Sequence, residues 1–284
     1  MNSQVVIAES EKCRKPTALE HLGARLGLGR LPMRSLLKRA YHFALNLQAG
    51  GGGLRCTLPE GETLRILPGC RYVSWNRDEY NAFKSLLPTG GVALDIGANV
   101  GCYSLLFGQW VGPSGKVFAF EPASETCENL RRHIKLNRLD AVVTAVEAAV
   151  SDANETASFL KLDNQGMNRL ALSSEQAEAA RVVRVATTTV DRFCEQAGVV
   201  PDLIKIDVEG FELNVLRGAR ETIKAMGERP ALFVEIHPTT WREIGLSKDD
   251  FVRELERQNL KAVSLRPAPD LWAVEGECLR LVRG

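Results

Sequence analysis

No run of apolar residues in this 284-residue chain approaches the ~20 that a membrane helix needs. Neither sign of charge dominates: 36 Lys and Arg stand against 35 Asp and Glu, a net of +1. That balance argues against a broad electrostatic grip on nucleic acid or on an anionic membrane. The seven cysteines are odd in number, with no C-x-x-C pair and no histidine at ligand spacing. A disulfide framework and a zinc site are thereby excluded, and reduced thiols in a cytoplasmic setting are expected. The first sixteen residues lack a basic leader and hold only four consecutive apolar residues, Val5 to Ala8, so no secretory signal is expected there. Repeats and low-complexity tracts are absent as well. The rest is ordinary globular composition, 45% hydrophobic and 25% charged. At ~150 residues per domain the length suits one enlarged α/β domain, or a catalytic domain with a small extension.

The extension is assigned to residues 1–78 and the catalytic domain to residues 79–284. Residues 1–30 read as an arm, and 31–47 as an amphipathic helix from the spacing of Leu36, Leu37, Ala40, Phe43, Ala44 and Leu47. Leu54–Leu58 and Glu62–Leu67 flank Pro59-Glu60-Gly61 and predict a β-hairpin. Residues 79–88 predict a short helix. Thereafter short apolar runs alternate with helical segments: Val92–Ile96, 102–110, Val117–Phe120, 124–137, Val142–Val150, Leu203–Asp207, 211–226, Ala231–Ile236 and 248–259. Alternation of this kind predicts an α/β fold with a parallel sheet covered on both faces. Ala157–Leu162 and Val182–Val190 interrupt it as two extra strands around a loop over 163–180. The last two runs, Lys261–Leu265 and Cys278–Val282, are joined by a loop without helical pattern, so the final strand is expected to be antiparallel.

The strongest chemical signal is Leu94-Asp95-Ile96-Gly97-Ala98-Asn99-Val100-Gly101, an apolar strand ending in a carboxylate and turning through glycines into a helix. Ligands of open parallel sheets bind at such strand ends. The G-x-x-x-G spacing is not the G-x-G-x-x-G of dinucleotide sites, and Asp95 would repel a diphosphate but suit an ammonium group. Twenty residues beyond Gly101, Glu121 ends the next strand in Phe120-Glu121-Pro122, where a carboxylate can accept both hydroxyls of a ribose. Ser151-Asp152 follows the third strand and is placed to bracket an adenine amino group.

These motifs resemble an S-adenosylmethionine-dependent methyltransferase of the Rossmann-like class. With Thr189-Val190-Asp191, Ile204-Lys205-Ile206-Asp207-Val208-Glu209-Gly210-Phe211-Glu212, Val215-Leu216-Arg217-Gly218-Ala219, Arg229-Pro230 and Val234-Glu235-Ile236-His237, the chain resembles the FkbM family over roughly residues 79–237. The resemblance implies a doubly wound, seven-stranded, mostly parallel sheet with an antiparallel last strand. It implies O-methyl transfer to a hydroxyl of a small metabolite, saccharide, glycolipid or polyketide. Cofactor binding is carried over to Asp95, Gly97, Asn99, Gly101, Tyr103, Glu121, Ser151, Asp152 and Asp207.

Strand alternation puts Asp207 and Glu209 on one side of their strand end, with Glu235 and His237 ending a neighbouring strand at the same spacing. His237, Glu235 and Glu209 are therefore the candidates for activating an acceptor hydroxyl. A divalent cation such as Mg²⁺ on Asp207, Glu209 and Glu235 is the alternative route to the same end. His21, His42 and His133 read as surface residues, Tyr80, Trp241 and Trp272 as core or acceptor-pocket aromatics, and Asn168 as an acceptor contact. Two other function classes stay open, a nicotinamide-dependent oxidoreductase and a non-catalytic binding protein on the same fold.

Overall fold

A computed structural model of the chain describes residues 11–12, 43, 47, 49–71, 73–160, 169–170, 182–228, 230–266, 270–272 and 274–284. The expected arm, most of helix 31–47, His21, His42, Asn168 and nearly all of the 163–180 loop lie outside the described residues.

Pro59-Glu60-Gly61 turns β1 (Leu54–Thr57) back on β2 (Thr63–Ile66) in antiparallel register, Leu54 opposite Ile66, which gives the hairpin the sequence predicts. The hairpin is pinned to the rest of the domain by His133. This residue is wholly buried rather than on the surface. Its Nε2 accepts the Leu67 N–H at 2.8 Å, so Nδ1 carries the proton that reaches the Val100 carbonyl at 2.7 Å. An acceptor and a donor on one neutral ring thus join the hairpin to the glycine-rich turn. Helix α1 (Arg77–Leu86) begins at Asn76, whose side chain accepts from the N–H groups of Asp78 and Glu79, a standard cap.

The α/β alternation follows: β3 (Val92–Ile96), α2 (Cys102–Val111), β4 (Lys116–Phe120), α3 (Ser124–Leu136) and β5 (Val143–Val146). The single strand expected over Val142–Val150 is in fact two. The chain turns at Glu147-Ala148, and β6 (Ala149–Val150) leaves for a second sheet, where it pairs with β8 (Val182–Thr188). Strand β7 (Thr156–Leu160) runs antiparallel to β8. An unpredicted helix, α4 (Val190–Ala197), follows, capped by Thr189. Then come β9 (Leu203–Ile206), α5 (Glu212–Arg217), α6 (Arg220–Ala225), β10 (Ala231–Ile236), α7 (Pro238–Glu243), α8 (Lys248–Arg257), β11 (Leu260–Ser264) and β12 (Glu277–Arg283). The helical stretch expected around 211–226 is divided at Gly218, which packs against the Ser151 carbonyl so closely that no side chain fits.

The main sheet has seven strands in the order β11-β12-β10-β9-β3-β4-β5. All its pairs are parallel except those of β12, which runs antiparallel to both neighbours. Alternate residues feed two apolar layers, one on each side. Ala93, Val117, Leu203 and Phe233 enter one core, Leu94, Ile96, Ile204, Leu232 and Val234 the other. A fully buried side chain such as Phe233 contributes about 1.5–3 kcal/mol, and the sheet is held chiefly by such burial. Among the described residues no helix is long and apolar enough to cross a membrane.

Candidate active site

The parallel strands β3, β9 and β10 are neighbours and end side by side, so the residues at their carboxyl ends converge. Lys205 lies opposite Asp95 in register, on the same face. It is 4% exposed. Its Nζ donates to Asp207 Oδ2 at 3.1 Å, stands 3.9 Å from Asp95 Oδ1, and lies 5.5 Å above the Tyr103 ring. Burial alone would lower the lysine pKa, but Asp207 and Asp95 outweigh it and raise it, so the ammonium stays charged.

Asp95 is itself buried, and Ser104 Oγ donates to its Oδ2. Its Oδ1 is enclosed yet accepts no hydrogen bond among the described residues. Such an atom is costly to leave unpaired and is the acceptor a ligand N–H would satisfy. Burial raises the Asp95 pKa, with Lys205 and Ser104 opposing it.

The turn after β3 is shaped by backbone packing. Gly97 has φ +83° and abuts the Asp207 carbonyl, and Gly101, at φ +94°, abuts Leu130. Both glycines are thus required by neighbouring protein atoms. Asn99 holds a left-handed φ of +50°, and Glu209, in the facing loop after β9, one of +52°. L-residues pay about 1–2 kcal/mol for that conformation, and it recurs where a site demands it. The Asn99 N–H donates to Glu121 Oε2 at 3.1 Å and the Ala123 N–H to Oε1 at 2.8 Å, leaving further acceptor capacity on both oxygens. Burial pushes the Glu121 pKa up to about 7.

Ser151 Oγ donates to Asp152, which also accepts from Asn214 at 3.1 Å, so this pair closes the β6 end onto α5. Tyr103 is packed in the core with its hydroxyl accepting the Asn76 N–H at 2.9 Å. It buttresses Lys205 from behind. Tyr80, Trp241 and Trp272 also pack among core residues.

His237 ends β10 and caps α7. Its Nδ1 lies 2.8 Å from Glu212 Oε1, and its Nε2 faces Glu209 Oε2 at 3.4 Å and Glu235 Oε1 at 3.8 Å. Burial would lower the histidine pKa, yet the three carboxylates outweigh it and raise it well above the ordinary value. Burial lifts Glu209 to about 7, with His237 opposing, and lifts Glu235 further, Asp207 and Glu79 adding to the effect. Asp207, Glu209 and His237 each offer an atom within 4.8 Å of the others, a spacing a cation could bridge. The structure thus joins His237 to Asp207 and Glu209 where the sequence pattern grouped Glu235 with them.

Two carboxylates of this cluster escaped the sequence reading. Glu79, on α1, is 6% exposed and bonded to Tyr103, and burial raises its pKa to about 7. Glu212 is wholly buried. Its pattern signal was the nearby glycine, Gly210, which lets a side chain two residues on fold back to the backbone. Among the described residues, Asp95, Asp207, Glu79, Glu209, Glu212 and Glu235 have Lys205 and His237 as their cationic neighbours. Such a field favours a ligand that carries positive charge.

Residues 95–261 match the family model described as Methyltransferase FkbM domain. The hexuronic acid methyltransferase AglP of Haloferax volcanii is 26% identical over 147 residues, 51% of this chain and 56% of that protein. The 2-O-methyltransferase NoeI of Sinorhizobium fredii is 32% identical over 146 residues, 46% of this chain and 58% of that protein. The matches to these two relatives therefore span less than two thirds of their length. A solved O-methyltransferase of Bacillus cereus aligns with a TM-score of 0.43 at 13% identity, covering 93% of this chain and 97% of that one.

Proposed function

Because this chain belongs to the FkbM methyltransferase family, we propose that it transfers a methyl group from S-adenosylmethionine to a hydroxyl of a saccharide or of a sugar-bearing metabolite. The observation that carries the reading is the excess of carboxylates at the ends of β3, β9 and β10, with Asp95 Oδ1 buried and accepting no hydrogen bond among the described residues. These residues fit a ligand with one ammonium and one sulfonium charge. When bound, S-adenosylmethionine supplies an electrophilic methyl group on sulfur. Asp95 would accept from its ammonium, Glu121 from its ribose hydroxyls, and the Ser151-Asp152 turn would border its adenine. His237 Nε2, beside Glu209 and Glu235, would take the proton of the acceptor hydroxyl as the oxygen attacks. Asp207 is already bonded by Lys205 and Glu209 already faces His237, so two of the candidate metal ligands have cationic neighbours of their own and this reading uses no metal. The saccharide is suggested by the relative AglP, a hexuronic acid methyltransferase.

The test has two parts. Calorimetry should show S-adenosylhomocysteine binding in the micromolar range, roughly −8 kcal/mol, and no binding of NAD. Incubation with S-adenosylmethionine and a panel of uronic and neutral sugars should then yield a methyl ether detectable by mass spectrometry. Binding of NAD in place of S-adenosylhomocysteine would favour the oxidoreductase reading. Cofactor binding with no product from any sugar would remove the saccharide.

A further inference from the structure

We propose that Glu212 is a positioning residue that holds His237 in the Nδ1–H form, with Nε2 turned toward the acceptor. The inference rests on the methyltransferase reading above and adds to it a residue that no sequence pattern assigned.

Glu212 opens α5 and has no solvent exposure. Its Oε1 accepts the Gly210 N–H at 2.7 Å and faces His237 Nδ1 at 2.8 Å, and its Oε2 accepts the Trp241 indole N–H at 2.7 Å. A backbone N–H and an indole N–H can only donate. A buried carboxyl group facing two obligate donors is held in its ionised, accepting form. The third contact then has one polarity: Nδ1 donates. The proton position on the ring is fixed by this inventory, and Nε2 is left as the atom that faces Glu209 and Glu235.

The local chain explains the geometry. Gly210, at φ +106°, packs against Thr240 with no room for a side chain, and it returns the backbone so that Glu212 reaches back under the loop. Trp241 lies one helical turn beyond His237 on α7. One carboxylate therefore ties the β9–α5 loop, the end of β10 and α7 together. A role as structural tie alone would need no histidine at the centre, and an amide donor would serve as well.

In the step this serves, which runs on the fraction of molecules whose ring has lost its second proton and so grows with pH, the acceptor O–H bond breaks, its proton goes to the Nε2 lone pair of neutral His237, and the electron pair stays on the attacking oxygen. The imidazolium so formed is paired with Glu212. The groups that face His237 are Glu212 on α5, Glu209 in the loop after β9 and Glu235 on β10, while Asp207 and Glu275 act on Glu209. Together they raise the histidine above its ordinary pKa.

The test is nuclear magnetic resonance of the full chain labelled in histidine, with the His237 signal identified by its loss in His237→Gln. Wild type should show the proton on Nδ1 when the ring is neutral and a titration above the ordinary histidine value. Glu212→Gln should lower that pKa by about 1–3 units and disturb the tautomer, with S-adenosylhomocysteine affinity kept within a few-fold. Trp241→Phe removes one donor but leaves the Glu212–His237 bond, and it should leave the histidine titration in place. A neutral wild-type ring with its proton on Nε2 would overturn the proposal without any variant. So would an unchanged titration and tautomer in a folded Glu212→Gln protein. Should wild type fail to bind S-adenosylhomocysteine while the tautomer is as stated, the methyltransferase reading fails and the Glu212–His237 assignment stands.

Discussion

Any β-carbon at position 97 would fall inside the contact radius of the Asp207 carbonyl oxygen. The Asp95–Gly101 turn and the end of β9 are thus in contact through bare backbone. Gly97→Ala should separate them. The left-handed conformation adds about 1–3 kcal/mol of strain to the clash. Urea denaturation should report lower stability, and calorimetry should report at least tenfold weaker S-adenosylhomocysteine binding. Wild-type values in both would mean the two loops move independently.

Asp95→Asn should weaken S-adenosylhomocysteine by about 1.5–3 kcal/mol, the range for a hydrogen bond to a charged group. Methylthioadenosine, which lacks the amino-acid moiety, should bind wild type and variant alike. Equal losses for both ligands would move Asp95 away from the ammonium and make it a partner of Lys205 and Ser104 alone.

Glu121 titrates near 7 because it is buried. In the proposed complex ribose hydroxyls would donate to its ionised form, so binding should pull that pKa down. Affinity for S-adenosylhomocysteine should then rise with pH through about 7 and level off above it. Glu121→Gln should flatten this dependence and lower the plateau. A wild-type binding curve that falls over the same interval would take the ribose away from Glu121.

Exhaustive treatment with EDTA should leave turnover unchanged once an acceptor is in hand. Loss of turnover that Mg²⁺ or Mn²⁺ restores would place a cation among Asp207, Glu209 and His237, the trio whose donor atoms lie within 4.8 Å.

Away from the site, Arg220 on α6 grips Glu254 on α8 through two bonds of 2.8 and 2.7 Å. Burial alone would raise the Glu254 pKa, but Arg220 and Gln258 outweigh it and lower it. A depressed carboxyl pKa contributes stability above its unfolded value, and the contribution is lost as pH falls through the folded one. Glu254→Gln should cost about 1–3 kcal/mol by urea denaturation at neutral pH. The difference should shrink in acid, and a gap independent of pH would assign the loss to packing.

The main sheet was legible because each parallel strand is buried on both faces and so reads as a short apolar run. The same feature hid the break at Glu147-Ala148. Val143–Val146 and Ala149–Val150 are equally apolar, and only pairing partners distinguish one sheet from the other. Helices α4 and α7 are short and follow strands directly, so their periodicity had little room to show. At the candidate site, the convergence of the β3, β9 and β10 ends followed from the strand pattern. Glu79 was not, because an acid on an amphipathic helix reads as solvated, and only the packing of α1 over Tyr103 buries it. His133 was misread for a similar reason: its two partners, Leu67 and Val100, lie 66 and 33 residues away.

Strand β12 lies between β10 and β11 although both precede it in the chain. A ribosome therefore delivers β11 before the strand that will hold it, and β10 with one edge still unpaired. Until Glu277–Arg283 emerge, that edge offers a row of free backbone donors and acceptors to any extended chain nearby. The β10 edge of the sheet can close only once β12 is present to bridge β10 and β11, so its exposure lasts until those residues are in place.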